Sequence, residues 1–115
     1  MASVNETALV KAAIEWLLWK RVFCWRNNTG AMALGGDDGT KKRFVRYGIK
    51  GASDILGVLP GGRFLAAEAK VGRNKLTGHQ KDFLHAVNDS GGLGIVFYSL
   101  DELEQQIYEA LEESR

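Results

Sequence analysis

Two short runs constrain this chain most. Ile55, Leu56, Val58 and Leu59, and then Phe64, Leu65, Ala66, Ala67 and Ala69, are apolar at odd and even positions alike and flank Pro60-Gly61-Gly62. Side chains alternate faces along a strand, so such runs are buried on both faces and belong in the middle of a sheet. Proline at the first turn position, followed by glycine where positive φ is needed, predicts a three-residue loop that pairs Leu59 with Arg63. In that register Asp54 stands opposite Glu68, with Cβ atoms ~5 Å apart, and Lys70 shares the face of Glu68. A two-residue Gly61-Gly62 loop would instead set Asp54 against Ala69 and leave Glu68 diagonal or facing away.

Charged groups at central-sheet positions need a compensating partner. Facing carboxylates repel, and a divalent cation between them would remove the conflict. Two carboxylates, such a cation and a lysine are the minimum set for metal-dependent phosphodiester hydrolysis. The plainer account is that an Asp ahead of one strand and a Glu-x-Lys at the end of the next are solvated strand ends.

Composition narrows the class. A chain of 115 residues, 45% hydrophobic and 25% charged, reads as one globular domain over residues 1–115. No stretch reaches membrane-spanning length, because Ala12 to Trp19 is interrupted by Glu15 and bounded by Lys11 and Lys20. No signal peptide is read, and no membrane partner is expected. A lone Cys24 leaves no internal disulfide or cysteine-based zinc site; it reads as a buried thiol in a reducing, cytoplasmic compartment. The net charge of +1 hides an asymmetry: residues 1–100 carry 14 Lys/Arg against 8 Asp/Glu, and residues 101–115 carry 1 against 6. Lys41, Lys42, Arg43, Arg46 and Lys50 form an acid-free run interleaved with Phe44 and Tyr47, and Arg73, Lys75 and Lys81 follow. A solvated basic face would account for such a run; beside paired carboxylates it points to a polyanionic backbone as partner.

Ser3-x-x-Glu6 has the pattern of a capping box ahead of Leu9, Val10, Ala13, Ile14, Trp16, Leu17 and Leu18, which predicts a first helix to about Arg21. Trp16, Trp19 and Trp25 are expected in the core, with Trp19 also a candidate subunit contact. Val22 to Arg26 reads as a strand ended by Asn27-Asn28-Thr29-Gly30. Ala31 to Gly51 is irregular, a functional loop with a turn at Gly35-Gly36-Asp37-Asp38-Gly39 and a short strand from Arg43 to Tyr47. The hairpin then covers Ser53 to Leu59 and Arg63 to Val71. Thr77-x-x-Gln80 is a second capping box, opening a helix through Phe83, Leu84 and Val87 that ends at Gly91-Gly92. Leu93 to Tyr98 reads as a buried strand, and Ser99-x-x-Glu102 opens a last helix with Leu100, Leu103, Ile107, Ala110 and Leu111 on one side. The order αβββαβα implies an α/β fold, a mixed central sheet flanked by helices.

That order, with acids on its second and third strands, resembles the restriction-endonuclease-like αβββαβ core of the PD-(D/E)xK nuclease superfamily, and within it a minimal stand-alone VRR-NUC domain. The resemblance is carried by Glu6, Arg26-Asn27-Asn28-Thr29-Gly30, Gly48-x-x-Gly51-x-x-Asp54, Glu68-x-Lys70 and Gln80, and spans nearly the whole chain. Ser53 stands where the superfamily has its proline. The resemblance implies a DNA endonuclease dependent on Mg²⁺ or Mn²⁺ and, for stand-alone members, a homodimer that cuts four-way junctions. It places Asp54, Glu68, the Ala69 carbonyl and Glu6 around the cation and Lys70 on the attacking water, with Gln80 at the active site. With DNA as the polyanion, the clustered charge puts Lys41, Lys42, Arg43, Arg46, Lys50, Arg73 and Lys75 on its backbone. Glu6 and Gln80 each have a second account as the acid or amide of a capping box. His79 and His85 lack partners at metal-ligand spacing and are read as surface or phosphate-contacting residues. A duplex-cutting or flap-processing endonuclease, and a DNA-binding protein that has lost the chemistry, are the rival readings.

Overall fold

The computed structural model of the chain describes residues 2–28, 30–34 and 43–113; for 2–4, 30–34 and 43–47 the description is of the backbone. Its elements are α1 (Ala2–Trp19), β1 (Phe23–Arg26), β2 (Gly30–Leu34), β3 (Arg43–Tyr47), β4 (Ile55–Val58), β5 (Phe64–Ala69), α2 (Gly78–Asp89), β6 (Leu93–Phe97) and α3 (Leu100–Glu113). Four strands form one mixed sheet in the order β1-β4-β5-β6, antiparallel except for the β5–β6 pair, while β2 and β3 pair only with each other. The fold is α/β.

The expected loop closes the central hairpin. Gly62 N–H donates to the Leu59 carbonyl at 2.9 Å and Leu59 N–H to the Arg63 carbonyl at 2.8 Å. Gly61 and Gly62 hold φ of +98° and +97°, a region that penalises a Cβ. Ile55 therefore pairs with Ala67 and Val58 with Phe64, so the two-residue alternative is excluded. Strand β5 is buried on both faces, whereas β4 alternates buried and half-buried positions.

On one face α1 and α3 pack Val10, Ala13, Leu17, Leu103, Ile107 and Ala110 onto Ile55, Leu65, Ala67, Ala69, Ile95 and Phe97. On the other, α2 sets Leu84 and Val87 against Ala66, joined by Leu56, Leu76, Phe83 and Val96. Each large apolar side chain buried this way contributes about 1.5–3 kcal/mol. Cys24 is buried, as expected.

Several expectations are corrected. Helix α1 begins at Ala2, which puts Ser3 inside the first turn, not ahead of it, and it stops at Trp19. Trp19 is 83% exposed and Trp25 42%, while Trp16 is half-buried, edge-on to Tyr108 of α3. Tryptophan at the end of a helix, or on an edge strand whose outer face none of the three helices covers, has no core to enter. Gly30 to Leu34, read as the start of a loop, is strand β2 and turns the Arg43–Tyr47 strand into the second half of a hairpin. Among the described residues no helix is long and apolar enough to cross a membrane.

Candidate functional site

The β4–β5 register continues past Ile55 and Ala67, so Asp54 comes opposite Glu68. Each carboxylate is then held by the other residue's strand. Asp54 N–H donates to Glu68 Oε1 at 3.0 Å, and Ala69 N–H donates to Asp54 Oδ2 at 3.0 Å. The two acids are thus fixed side by side by backbone donors, so their side-chain entropy is lost on folding and not when a ligand arrives.

Alternation along β5 sends Ala67 and Ala69 toward α1 and α3, and Ala66, Glu68 and Lys70 toward α2. Glu68 is 2% exposed and Lys70 9%. Lys70 is anchored by its own N–H on the Phe97 carbonyl at 3.0 Å, and its Nζ lies 4.0 Å from Glu68 Oε2. Burial first, and then the adjacent Asp54 carboxylate, push Glu68 up to about 8, against the opposing pull of the Asp54 N–H and of Lys70. Without a cation, this environment favours the protonated form of Glu68.

Gln80 makes two sets of contacts. Its Oε1 accepts from Thr77 N–H at 2.9 Å, and its N–H donates to Thr77 Oγ1 at 3.2 Å, completing the capping box. Its Nε2 meanwhile donates to Glu68 Oε2 at 3.0 Å. The start of α2 is itself pinned: Gly51 has φ +87°, and a Cβ there would lie 2.3 Å from the His79 carbonyl oxygen. The Gly48-x-x-Gly51-x-x-Asp54 spacing therefore describes a loop that passes against the N-terminus of α2 on its way into β4.

Asp54, Glu68, Lys70 and Gln80 are brought together. Glu6 lies on α1, which packs on the face of the sheet opposite α2, and among the described residues no group of three His, Cys, Asp or Glu is close enough to hold a metal ion. The hard oxygens of Asp54 and Glu68 suit Mg²⁺ or Mn²⁺, which are commonly held by one or two carboxylates with water and substrate phosphate completing the shell. A buried acid that retains its proton is also a group that a dication would compensate.

Of the basic residues, Arg73 and Lys75 are exposed on the segment between β5 and α2, and Lys50 is exposed just after β3. Arg43 and Arg46 lie on β3, while Lys41 and Lys42 fall outside the described residues. Both His79 and His85 are exposed, with His85 Nε2 3.2 Å from Asp89. Two contributors carried no sequence signal. Tyr98 Oη donates to the Asn74 carbonyl at 2.7 Å, steadying the segment that carries Arg73 and Lys75. Ser53, in the proline's place, is buried with its Oγ unpartnered. A cavity of about 570 Å³ is walled by Leu56, Phe64, Phe83 and Val87, and its lining does not include Asp54, Glu68, Lys70 or Gln80. Comparison with protein-family models, with curated proteins and with solved structures finds no match to this chain.

Proposed function

We propose that this chain is a divalent-cation-dependent endodeoxyribonuclease that hydrolyses phosphodiester bonds with a restriction-endonuclease-like core, selects four-way junctions, and works as a homodimer. The observation that carries the chemistry is the reciprocal pairing of Asp54 and Glu68, with Lys70 and Gln80 on the same carboxylate. Asp54, Glu68 and the Ala69 carbonyl would hold Mg²⁺ or Mn²⁺. When bound there, the cation supplies Lewis acidity toward the scissile phosphate and lowers the pKa of a coordinated water.

The side chains supply the rest. Lys70, nearly buried and anchored at its backbone, offsets charge that develops on the phosphate and orients the attacking water. Gln80 holds Glu68 in one rotamer from the start of α2, so the carboxylate does not have to be ordered when substrate arrives. Lys50, Arg73 and Lys75 lie on exposed segments and would engage the sugar–phosphate backbone, which fixes position without reading sequence. Selectivity for a junction rests on the VRR-NUC resemblance and on a count: two opposed cuts need two centres, and one chain holds one Asp54/Glu68 pair.

Incubation of the protein with labelled linear duplex, flap and immobile four-way junction, with and without Mg²⁺ or Mn²⁺, tests the reading. Cation-dependent paired nicks in opposite arms of the junction are expected. Equal cutting of linear duplex would favour a general endonuclease, and binding without any cutting would favour a non-catalytic DNA-binding protein.

A further inference from the structure

Asp54 and Glu68 share their sheet face with a run of exposed rings. Side chains two residues apart on a strand point the same way, so Asp54, just ahead of β4, is in line with Leu56 and Val58. The register sets Trp25 and Ala66 on either side of Leu56, and Phe23 and Phe64 on either side of Val58. Three rows therefore follow one another on the side facing α2, at steps of ~7 Å. The first is the carboxylate pair, the second Trp25 with Leu56, and the third Phe23 with Val58 and Phe64. Helix α2 packs on Ala66 and reaches Leu56, and the rings beyond it stay open: Phe23 is 69% exposed, Trp25 42% and Phe64 39%. The Phe23 and Trp25 rings stand 5.4 Å apart, tilted by 53°.

Single apolar side chains on a surface are ordinary, whereas a contiguous aromatic patch marks a binding surface. This one runs into the cavity of about 570 Å³, which Leu56 and Phe64 line together with Ile49 and Phe83. Three of the lining residues adjoin Asp54. The Asn27 N–H donates to the Asp54 carbonyl at 2.7 Å, and Ala52 and Leu56 stand two residues before and after it. Among the described residues the lining holds no charged side chain. Exposed cations border the patch instead, with Arg26 next to Trp25 and Lys50 next to Ile49.

We propose that this aromatic face is a base-stacking subsite, which holds unpaired nucleotides next to the scissile phosphate. Charge and shape select that occupant. A phosphate gains nothing from an uncharged lining, whereas a nucleobase is flat and uncharged and stacks on rings. Every base presents such a face, so the platform is indifferent to sequence. In a duplex the bases are paired and stacked inside the phosphates; only an unpaired or extruded base reaches the rings. Arg26 and Lys50 would then take the phosphates of the same strand. A protein segment would also bury these rings, but the patch continues the carboxylate row, and the polymer brought to that row is the one a phosphodiester centre acts on. The substrate class narrows accordingly to DNA with unpaired nucleotides beside the cut, as at an opened branch point, a bulge or a single-stranded extension.

This inference rests on the nuclease reading for the place of the scissile phosphate, while stacking itself is measured without cleavage. In cation-free buffer, fluorescence anisotropy gives the affinity for oligothymidylate and for a linear duplex of equal length. The wild type is compared with Trp25→Ala, Trp25→Phe and Phe23→Ala, each checked for fold by circular dichroism. Trp25→Ala should bind oligothymidylate about 5- to 150-fold more weakly, with its salt slope and its duplex affinity unchanged, as loss of an uncharged stacking contact requires. Phe23→Ala should weaken the same binding, and Trp25→Phe, which keeps a ring, should stay close to the wild type. A 2-aminopurine base at an unpaired position in a duplex should be quenched by the wild type and less by either alanine variant. Oligothymidylate held as tightly by both alanine variants as by the wild type, or an unquenched 2-aminopurine, would overturn the subsite and return the rings to a protein partner. Ring-dependent binding and quenching without any cleavage in Mg²⁺ or Mn²⁺ removes the nuclease reading and leaves the base-stacking surface standing.

Discussion

The chain contains two antiparallel hairpins that differ in nearly everything except their pairing. The β4–β5 hairpin lies in the middle of a four-stranded sheet, with α1 and α3 on one face and α2 on part of the other. Its turn fixes the register, and a one-residue slip would swing Glu68 into the α1–α3 core, so it can hold Asp54 and Glu68 within a hydrogen bond of each other's backbone. The β2–β3 hairpin has the same kind of ladder but joins no strand of the larger sheet. Ladder hydrogen bonds are common to both; burial between helices is what makes the first rigid enough to fix its two carboxylates. The expected experimental contrast is that changes in the first hairpin act on chemistry and proton binding, and changes in the second on association.

The largest effect should come from the platform. Asp54→Asn, Glu68→Gln and Lys70→Ala are each expected to lower junction cleavage by about 10³-fold or more with binding and fold retained, because these groups act on the transition state. Single-turnover rates beside binding isotherms check this, and near-wild-type cleavage by any of the three would remove that residue from the site.

Next in size is a proton effect confined to the same hairpin. Folding raises the Glu68 pKa to about 8, so between the ordinary carboxylate range and about pH 8 the native state holds a proton that the unfolded chain releases. Stability from this group is complete at low pH and is lost as pH rises through the folded value. In cation-free buffer Glu68→Gln should therefore gain on the wild type by on the order of 3 kcal/mol from pH 5 to pH 9. Urea denaturation at the two pH values measures it, and Mg²⁺ at pH 9 should restore the wild type while leaving the variant unmoved. A constant difference between the two proteins would show that Glu68 is already ionised in the fold.

At the second hairpin the expectation concerns association with DNA. Replacing Lys41, Lys42 and Arg43 by Ala should flatten the dependence of log affinity on log salt by about 0.9 for each phosphate that is no longer neutralised, with little change in cleavage rate at saturation. Fluorescence anisotropy over a salt series reads the slope, and an unchanged slope would place this segment away from the DNA. The smallest effect is expected next to the platform: Ser53→Ala removes a buried hydroxyl without a partner and should stabilise the fold by about 1 kcal/mol or less. A loss of stability would show that the hydroxyl has a partner in solution.

Where local chemistry decides, sequence was enough. Pro60-Gly61-Gly62 requires a tight turn and leaves two loop lengths open, of which the structure has the one that puts Asp54 opposite Glu68; Thr77 and Gln80 cap α2 for equally local reasons. The order of the larger elements followed from periodicity, and so did helices on both sides of the sheet. Tertiary structure alone decided what depends on distant surfaces. Nothing near Trp25 in sequence says that its strand lies at an edge with one face uncovered, and Gly30 to Leu34 is too short and weakly patterned to reveal β2 before its partner is known. Glu6 has the spacing of a ligand, yet its helix packs on the far face of the sheet; Gln80 looks complete as a cap, yet reaches Glu68 because Gly51 lets a loop close on the start of its helix. Spacing along a chain specifies what neighbours on one element can do, whereas packing between elements specifies which of those groups meet.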